Sequence, residues 1–492
     1  MSVNFSDDPT KQGFFAPLRF EATIHDCEVE GEIPSEINGT FYRCGGDRQY
    51  PPRFQGDALF NEDGFVDMFR FGNGHVDFRS RYVQTERYLA EHKARKALFG
   101  LYRNRLTSDP SVRDLSLNTA NTNVVFHGGR LLALKEDSPP TEMDPDTLET
   151  KGPWKFDGKL DSLTFTAHPK IDGVTGEMLA FGYEAKGDLT DDVALYWIDK
   201  SGKVTREIWF KAPVVGMMHD MAISEDHILI PIASFGTSWE RLKAGKVHWA
   251  WKPDQPIYVA VLPRDGDAKD VRWFKGPAAG FIHTLNARSE GNKVYLDAPI
   301  FPGNPFPWIE NWDGSPFDPA GGGCTIRRWT FDLNSDSDTW EESLLFPDFT
   351  NPTDLIRMDD RYMSHDYRYS FLSIQDRSKP FDEARGGKLR MPVTNSYARL
   401  DHATGKIDSV FVGDTHGLSE VQFVPRKANS PEGDGYLIGV ANDFAEMKSE
   451  LVVADATRLN EGVIARVKLP FRLHSQVHAN WASNDVVPTG FV

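Results

Sequence analysis

The sequence predicts an all-β fold closed on itself, a barrel or a propeller. Three observations carry that prediction. Apolar runs of strand length recur along the whole chain, turn residues separate them at short intervals, and helical periodicity is scarce. The runs are GRLLALKE (129–136), EMLAFGYEA (177–185), HILIPIAS (227–234), KVYLDAPI (293–300), YLIGVAND (436–443) and ELVVADAT (450–457). Several carry β-branched or aromatic residues, and Gly, Asp, Asn or Pro ends them. WIDKSGKV and RLDHATGKI read as hairpin turns, where Asp and Gly supply the required backbone angles. The best helical signal is ERYLAEHKARKALFGLYRNR (86–105), with Ala, Leu and charged residues at mixed 3–4 spacing. It is read as one or two helices packed on a loop outside the β core. A length prior would divide the 492 residues into about three domains, but no shift in composition marks a boundary. One unit spanning 1–492 is expected.

Composition narrows the function. Hydrophobic residues reach 40% and aromatics 12%, enough for a large core, and the 26% of charged residues are spread along the chain. A net charge of −17 repels nucleic-acid phosphates and gains nothing at an anionic membrane surface, so no nucleic-acid partner is expected. Cys27, Cys44 and Cys324 are far apart, which fits neither a disulfide framework nor a thiolate metal site. The N-terminus has no basic patch followed by an apolar run, and no stretch of about 18 apolar residues occurs. A cytoplasmic protein without a membrane span is expected.

Most of the 14 histidines should be ordinary polar groups. Four stand apart by context: His168 in TAHPKID, His219 in GMMHDMAIS, His283 in GFIHTLNAR and His478 in VHANW. Each adjoins a strand-like run and is followed by small or polar residues, as at a strand end entering a barrel or propeller mouth. The steps from 168 to 219 and from 219 to 283 are 51 and 64 residues. Asp354 and Glu420, in similar settings, divide the long interval to 478 into steps of 71, 66 and 58. A propeller in which each blade sends one side chain to the axis would produce such a rhythm. Four neutral imidazoles leave a divalent first-row metal its full charge and open positions, without choosing among iron, zinc and copper. Metal-bound histidines usually donate their second ring N–H to a carboxylate. The candidates for that role are Glu136, Asp354 and Glu420.

These residues sit in a series of motifs that resembles the carotenoid cleavage oxygenases, and among them the bacterial lignostilbene dioxygenases. GEIPSEINGTFYRCGGD, RYVQTERY, NTNVVFHGGRLLALKE, TAHPKIDGVTGE, FIHTLNA, LIRMDDRY and EVQFVPRKANSPEGDGYLIGV follow in family order over nearly the whole chain. The resemblance implies a seven-bladed β-propeller under a dome of loops and short helices, with dome elements at about 86–115. It implies one Fe(II) per chain held by His168, His219, His283 and His478, with O2 as co-substrate. It pairs Glu136 with His219, Asp354 with His283 and Glu420 with His478, leaves His168 without a carboxylate, and places Thr122 against one open iron position. Two positions depart from the family pattern. Asp354 stands where glutamate is usual, so its bond to His283 is expected to be stretched or bridged by water, with Asp348 and Glu342 as alternatives. The last motif reads His478-Ala479-Asn480-Trp481 instead of His-Gly-x-Trp; Trp481 keeps its offset and so favours His478 over His474.

The resemblance also implies a substrate. Phe60, Tyr102 and Lys135 match the positions that grip a 4-hydroxylated ring in the stilbene-cleaving subgroup. Lys135 and the Tyr102 hydroxyl would bond the phenolic oxygen and lower its pKa, and Phe60 would stack on the ring. The expected reaction is cleavage of the central C=C bond of a hydroxystilbene by O2 to two aromatic aldehydes. Relatives point to a homodimer. The rival readings are an apocarotenoid substrate at the same metal, an oxygen-independent isomerase or hydrolase, and a non-catalytic binding propeller.

Overall fold

The computed structural model describes residue 5 and residues 12–55, 57–349, 353–389, 392–474 and 476–487. Seven antiparallel sheets of four or more strands follow one another along the chain and form a seven-bladed β-propeller. In the first, Ala22–Ile24, His75–Tyr82, Gly64–Gly72 and Gly39–Gly46 pair in that order, and Gln476–Ser483 completes the edge. The next five begin on Asn123–His127, Lys170–Ile171, Ala222–Ile223, Gly280–Phe281 and Arg357–Met358, each running on through antiparallel strands. In the last, His416–Leu418 and Gln422–Pro425 flank Gly435–Asp443, and Val29–Gly31 joins the far edge.

Stacking explains why the strands read as near-continuous apolar runs and not as alternating ones. A middle strand is covered on both faces by neighbouring blades. Asp192–Ile198 and Met178–Tyr183 are buried throughout, whereas the edge strand Glu341–Leu344 is exposed throughout. Phe181 and Leu195 of one blade share an apolar cluster with Ile228 and Ile230 of the next. All six apolar runs of the sequence fall on strands.

The helical stretch is shorter than its sequence pattern. Only Glu86–Ala94 is α-helical, capped by the Thr85 side chain. Arg95 turns left-handed at φ 53°, and Glu91 Oε1 accepts from the backbone N–H groups of Leu98 and Phe99. That carboxylate folds the chain back on itself, so 96–105 continues as loop and one 3-10 turn. No helix among the described residues is long and apolar enough to cross a membrane. The three cysteines are buried free thiols.

Ring closure joins strands from the two ends of the chain. Phe41 faces Trp481 and Cys44 faces His478 in the seam. Beside it Arg43, 1% exposed, pairs with Asp67 at 3.2 Å and donates to Ser419 Oγ at 3.0 Å, tying the first blade to the last. Replacing one partner of a fully buried pair strands the other in a medium of low dielectric. Arg43→Met should therefore cost about 3–5 kcal/mol in denaturant unfolding; a loss below ~1 kcal/mol would show that the seam does not rely on it.

Candidate metal centre

Each blade delivers one polar residue to the axis, at or just before its innermost strand. In chain order these are Thr122, His168, His219, His283, Asp354, Glu420 and His478. Thr122, 46 residues before His168, extends the rhythm read from the sequence. The four histidines converge so that one ring nitrogen from each lies within 4.8 Å of all the others. His168 Nε2 is 3.1 Å from His219 Nε2. The rings meet edge to face, with centroids 4.6 to 5.2 Å apart.

Hydrogen bonding on the outer side sets the chemistry on the inner side. His219 Nδ1 lies 2.6 Å from Glu136 Oε2, His283 Nδ1 3.1 Å from Asp354 Oδ2, and His478 Nδ1 3.1 Å from Glu420 Oε1. A carboxylate accepts, so each Nδ1 carries the proton and each Nε2 presents a lone pair to the interior. His283 Nε2 and His478 Nε2 are buried with no hydrogen-bond partner. Buried nitrogens normally find one. Three converging lone pairs with a fourth imidazole, His168, at 3.1 Å from one of them are the arrangement that a divalent metal satisfies when His168 also presents its lone pair, so the residues fit such an ion. His168 has no carboxylate bond among those described; burial and then the other three imidazoles hold it well below the ordinary histidine range, which keeps it a neutral donor.

The supporting acids are themselves held. Burial opposes ionisation of Glu136, but His219, Arg103 and Lys135 outweigh it and leave the carboxyl far below its usual range. Its other oxygen accepts from the Tyr102 hydroxyl at 3.1 Å. Burial likewise opposes ionisation of Glu420, and His478 with Arg357 overcomes it. Arg357 is in turn fixed by Gln422 at 2.8 Å and Asn480 at 3.1 Å. Asp354 reaches His283 directly, at the same distance as the longer Glu420 reaches His478, so no bridging water is required. Asp348 is exposed, Glu342 bonds Trp329 and Arg327, and His474 faces Glu62 at 3.9 Å, so none of these alternatives joins the cage.

A cavity of about 200 Å³ opens on the cage. His219, His283 and Thr122 border it on one side, and Phe60, Tyr102 and Lys135 line it together. Apart from Glu136 and Asp354, which support the cage, the remaining wall is apolar: Met217, Ile282, Phe306, Ile309, Leu355 and Val477. Phe60 lies edge-on to Phe306 and Trp308 at 5.6 Å each. Lys135 is 3% exposed, its Nζ 5.0 Å from the Tyr102 ring centroid. It donates to the Phe60 carbonyl at 3.0 Å and to Asn121 Oδ1 at 3.2 Å. Sequence reasoning missed Asn121, Arg103, Arg357 and the apolar wall; only Asn121, next to Thr122, had a positional signal. A second cavity of about 410 Å³ also borders the cage, at His168, His283 and His478, and mixes charged residues, among them Lys170, Asp220, Arg357 and Asp360, with apolar ones such as Phe126, Ile356 and Met358.

Fold and site together define a propeller whose axis carries a four-histidine cage with carboxylate support. The family profile for RPE65, retinal pigment epithelial membrane protein, matches residues 15–483, and the chain belongs to that family, the carotenoid cleavage oxygenases. It is 44% identical over 489 residues to lignostilbene-alpha,beta-dioxygenase isozyme III of Sphingomonas paucimobilis, covering 99% of each chain. It is 41% identical to isoeugenol monooxygenase of Pseudomonas putida, over 97% of this chain and 99% of that one. The crystal structure of a lignostilbene dioxygenase from Pseudomonas brassicacearum superposes with a TM-score of 0.93 at 44% identity, covering 98% of this chain and 100% of that one.

Two outcomes follow for the cage. Asp354→Ala, which removes the acceptor that orients His283, should weaken metal binding about 10- to 100-fold; metal quantitation after dialysis reads it, and full retention would show the acid to be dispensable. The second concerns the metal-free protein. Burial lowers His168 and His478, and it pushes His402 down to about 4. The unfolded chain takes up protons near pH 6.5 while these folded groups do not. Stability should therefore fall as pH drops below about 6.5, by up to about 1.4 kcal/mol per pH unit for each group. His283, raised because Asp354 and other acids outweigh burial, has already given its full contribution below that pH. Urea midpoints that stay flat from pH 7 to 5 would contradict this.

Proposed function

We propose that this chain is a lignostilbene-type dioxygenase. It would cleave the central C=C bond of 4-hydroxystilbenes with O2 and release two aromatic aldehydes. The observation that carries the reading is a buried lysine and tyrosine in an apolar cavity that opens on the four-histidine cage. Lignostilbene and isoeugenol, named in the relatives, are both 4-alkenylphenols, and a phenol is what that pair can recognise. His168, His219, His283 and His478 would hold one Fe(II), with Glu136, Asp354 and Glu420 as their supports. Iron bound there would supply the activation of O2.

The chain's own residues supply the rest. A phenolic oxygen in the cavity can accept from Lys135, whose ammonium has three protons and spends two on Phe60 and Asn121. A charge-assisted bond stabilises the phenolate, lowers the phenol pKa and sends electron density through the ring into the alkene. Tyr102 already gives its proton to Glu136, so its oxygen can accept only from the neutral phenol, and the contact that lowers the phenol pKa comes from Lys135 alone. That refines the sequence reading, in which the tyrosine donates. Phe60 and the apolar wall exclude water and hold the alkene toward the cage. Thr122, which lines the cavity with His219 and His283, would crowd one open metal position. The free buried thiols fit a reducing cytoplasm.

Aerobic incubation of the Fe(II)-loaded protein with a panel of 4-hydroxystilbenes should yield two aldehydes per substrate. Chelation should abolish this and Fe(II) restore it; no aldehyde across the panel would overturn the proposal. Lys135→Met should lower turnover about 10- to 100-fold, the value of a hydrogen bond to a charged group, with metal content unchanged. Undiminished turnover would make the lysine a bystander.

A further inference from the structure

Asn121 is buried between the loop carrying Phe60 and the strand that leads into Lys135. Its Nδ2 donates to the carbonyls of Phe60 at 2.9 Å and Glu62 at 2.7 Å. Its Oδ1 accepts from Lys135 Nζ at 3.2 Å. Lys135 donates a second proton to the same Phe60 carbonyl, which closes a small ring of bonds. These neighbours permit one orientation of the carboxamide. Turned over, it would set its oxygen against two carbonyls and its NH2 against an ammonium.

We propose that Asn121 is the positioning residue for phenol recognition, holding the Lys135 ammonium so that one N–H is left for a phenolic oxygen while fastening the Phe60 loop beside it. Fastening the loop needs only the Nδ2 contacts; the Oδ1 contact to Lys135 is the part that this simpler role leaves unexplained. A lysine head is a point charge on a flexible stem. Burial disfavours its charge; Asp137 and Glu136 attract it through space and Arg103 and Arg87 repel it. Without Oδ1 the ammonium would move toward those carboxylates and away from its present place. The inference rests on the stilbene reading, and only on its phenol half: the cavity must bind a phenol, whether or not it cleaves the alkene.

The test is binding to the iron-loaded protein under nitrogen, where no turnover occurs. 4-Hydroxystilbene and unsubstituted stilbene are titrated by fluorescence against the parent, Asn121→Ala, Lys135→Met and the double variant. The parent should favour the phenol by about tenfold or more. Asn121→Ala should lose as much of that preference as Lys135→Met does, and the double variant should lose no more than either, as expected for residues acting as one unit. A preference kept in Asn121→Ala, losses that multiply in the double variant, or a parent that does not discriminate would each overturn the proposal. A parent that discriminates yet forms no aldehyde in air removes the cleavage reading and leaves this one standing. Should Asn121→Ala fail to fold, a crystal structure of the parent with 4-hydroxystilbene under nitrogen decides. The phenolic oxygen within hydrogen-bond reach of Nζ, with Oδ1 still on that ammonium, supports it; Nζ withdrawn from Asn121 overturns it.

Discussion

Three bonds between carboxylates and imidazoles decide what the axis of this propeller can do. An imidazole offers a lone pair on only one nitrogen, and which one depends on where the proton sits. Glu136, Asp354 and Glu420 take the Nδ1 protons of His219, His283 and His478, so the inward nitrogens have none. The same acids anchor the cage to its surroundings. Glu136 ties it to the segment carrying Tyr102 and Arg103, and Glu420 ties it through Arg357 to the neighbouring blades. Remove the acids, and the inward nitrogens could carry protons and bond one another, as His168 and His219 already lie close enough to do, instead of facing a common ion.

Charge is distributed sharply around the cage. On one side lies a largely apolar cavity whose charged lining is one cation, Lys135, and two carboxylates already bound to cage histidines, Glu136 and Asp354. On another lies a cavity of mixed lining with several charges, in which Lys170 pairs with Asp220 and Arg357 lies near Asp360. A flat aromatic alkene suits the first, where dispersion and one directional contact can orient it. Glu136 stands where these requirements meet: one oxygen faces a cage histidine and the other the tyrosine of the apolar cavity.

Much of this was legible in the sequence, and the reasons are physical. Blade strands are covered on both faces, so they appear as apolar runs bounded by turn residues. The axial residues appear as a rhythm because each blade presents one of them beside its innermost strand. Glu136 escapes that rhythm: it follows the strand Arg130–Leu134, the second of its blade, and its pairing with His219 came from the family resemblance. The helix at 86–105 was half right, since its end is set by the Glu91 side chain bonding the backbone of Leu98 and Phe99, which residue spacing does not encode. Arg103 and Arg357 were hidden for a similar reason. Their partners lie at Glu184 and at Asn480, far along the chain, and an arginine's sequence context says nothing of so distant a contact.

His478 lies on Gln476–Ser483, the strand that seals the ring against Gly39–Gly46. The last imidazole and the last strand therefore arrive together, and an ion gripped by all four rings would act as a latch across the seam. Prising the seam apart would mean surrendering that ion, so its binding energy adds to the barrier against opening. A newly made chain could complete its cage only when the circle is already whole.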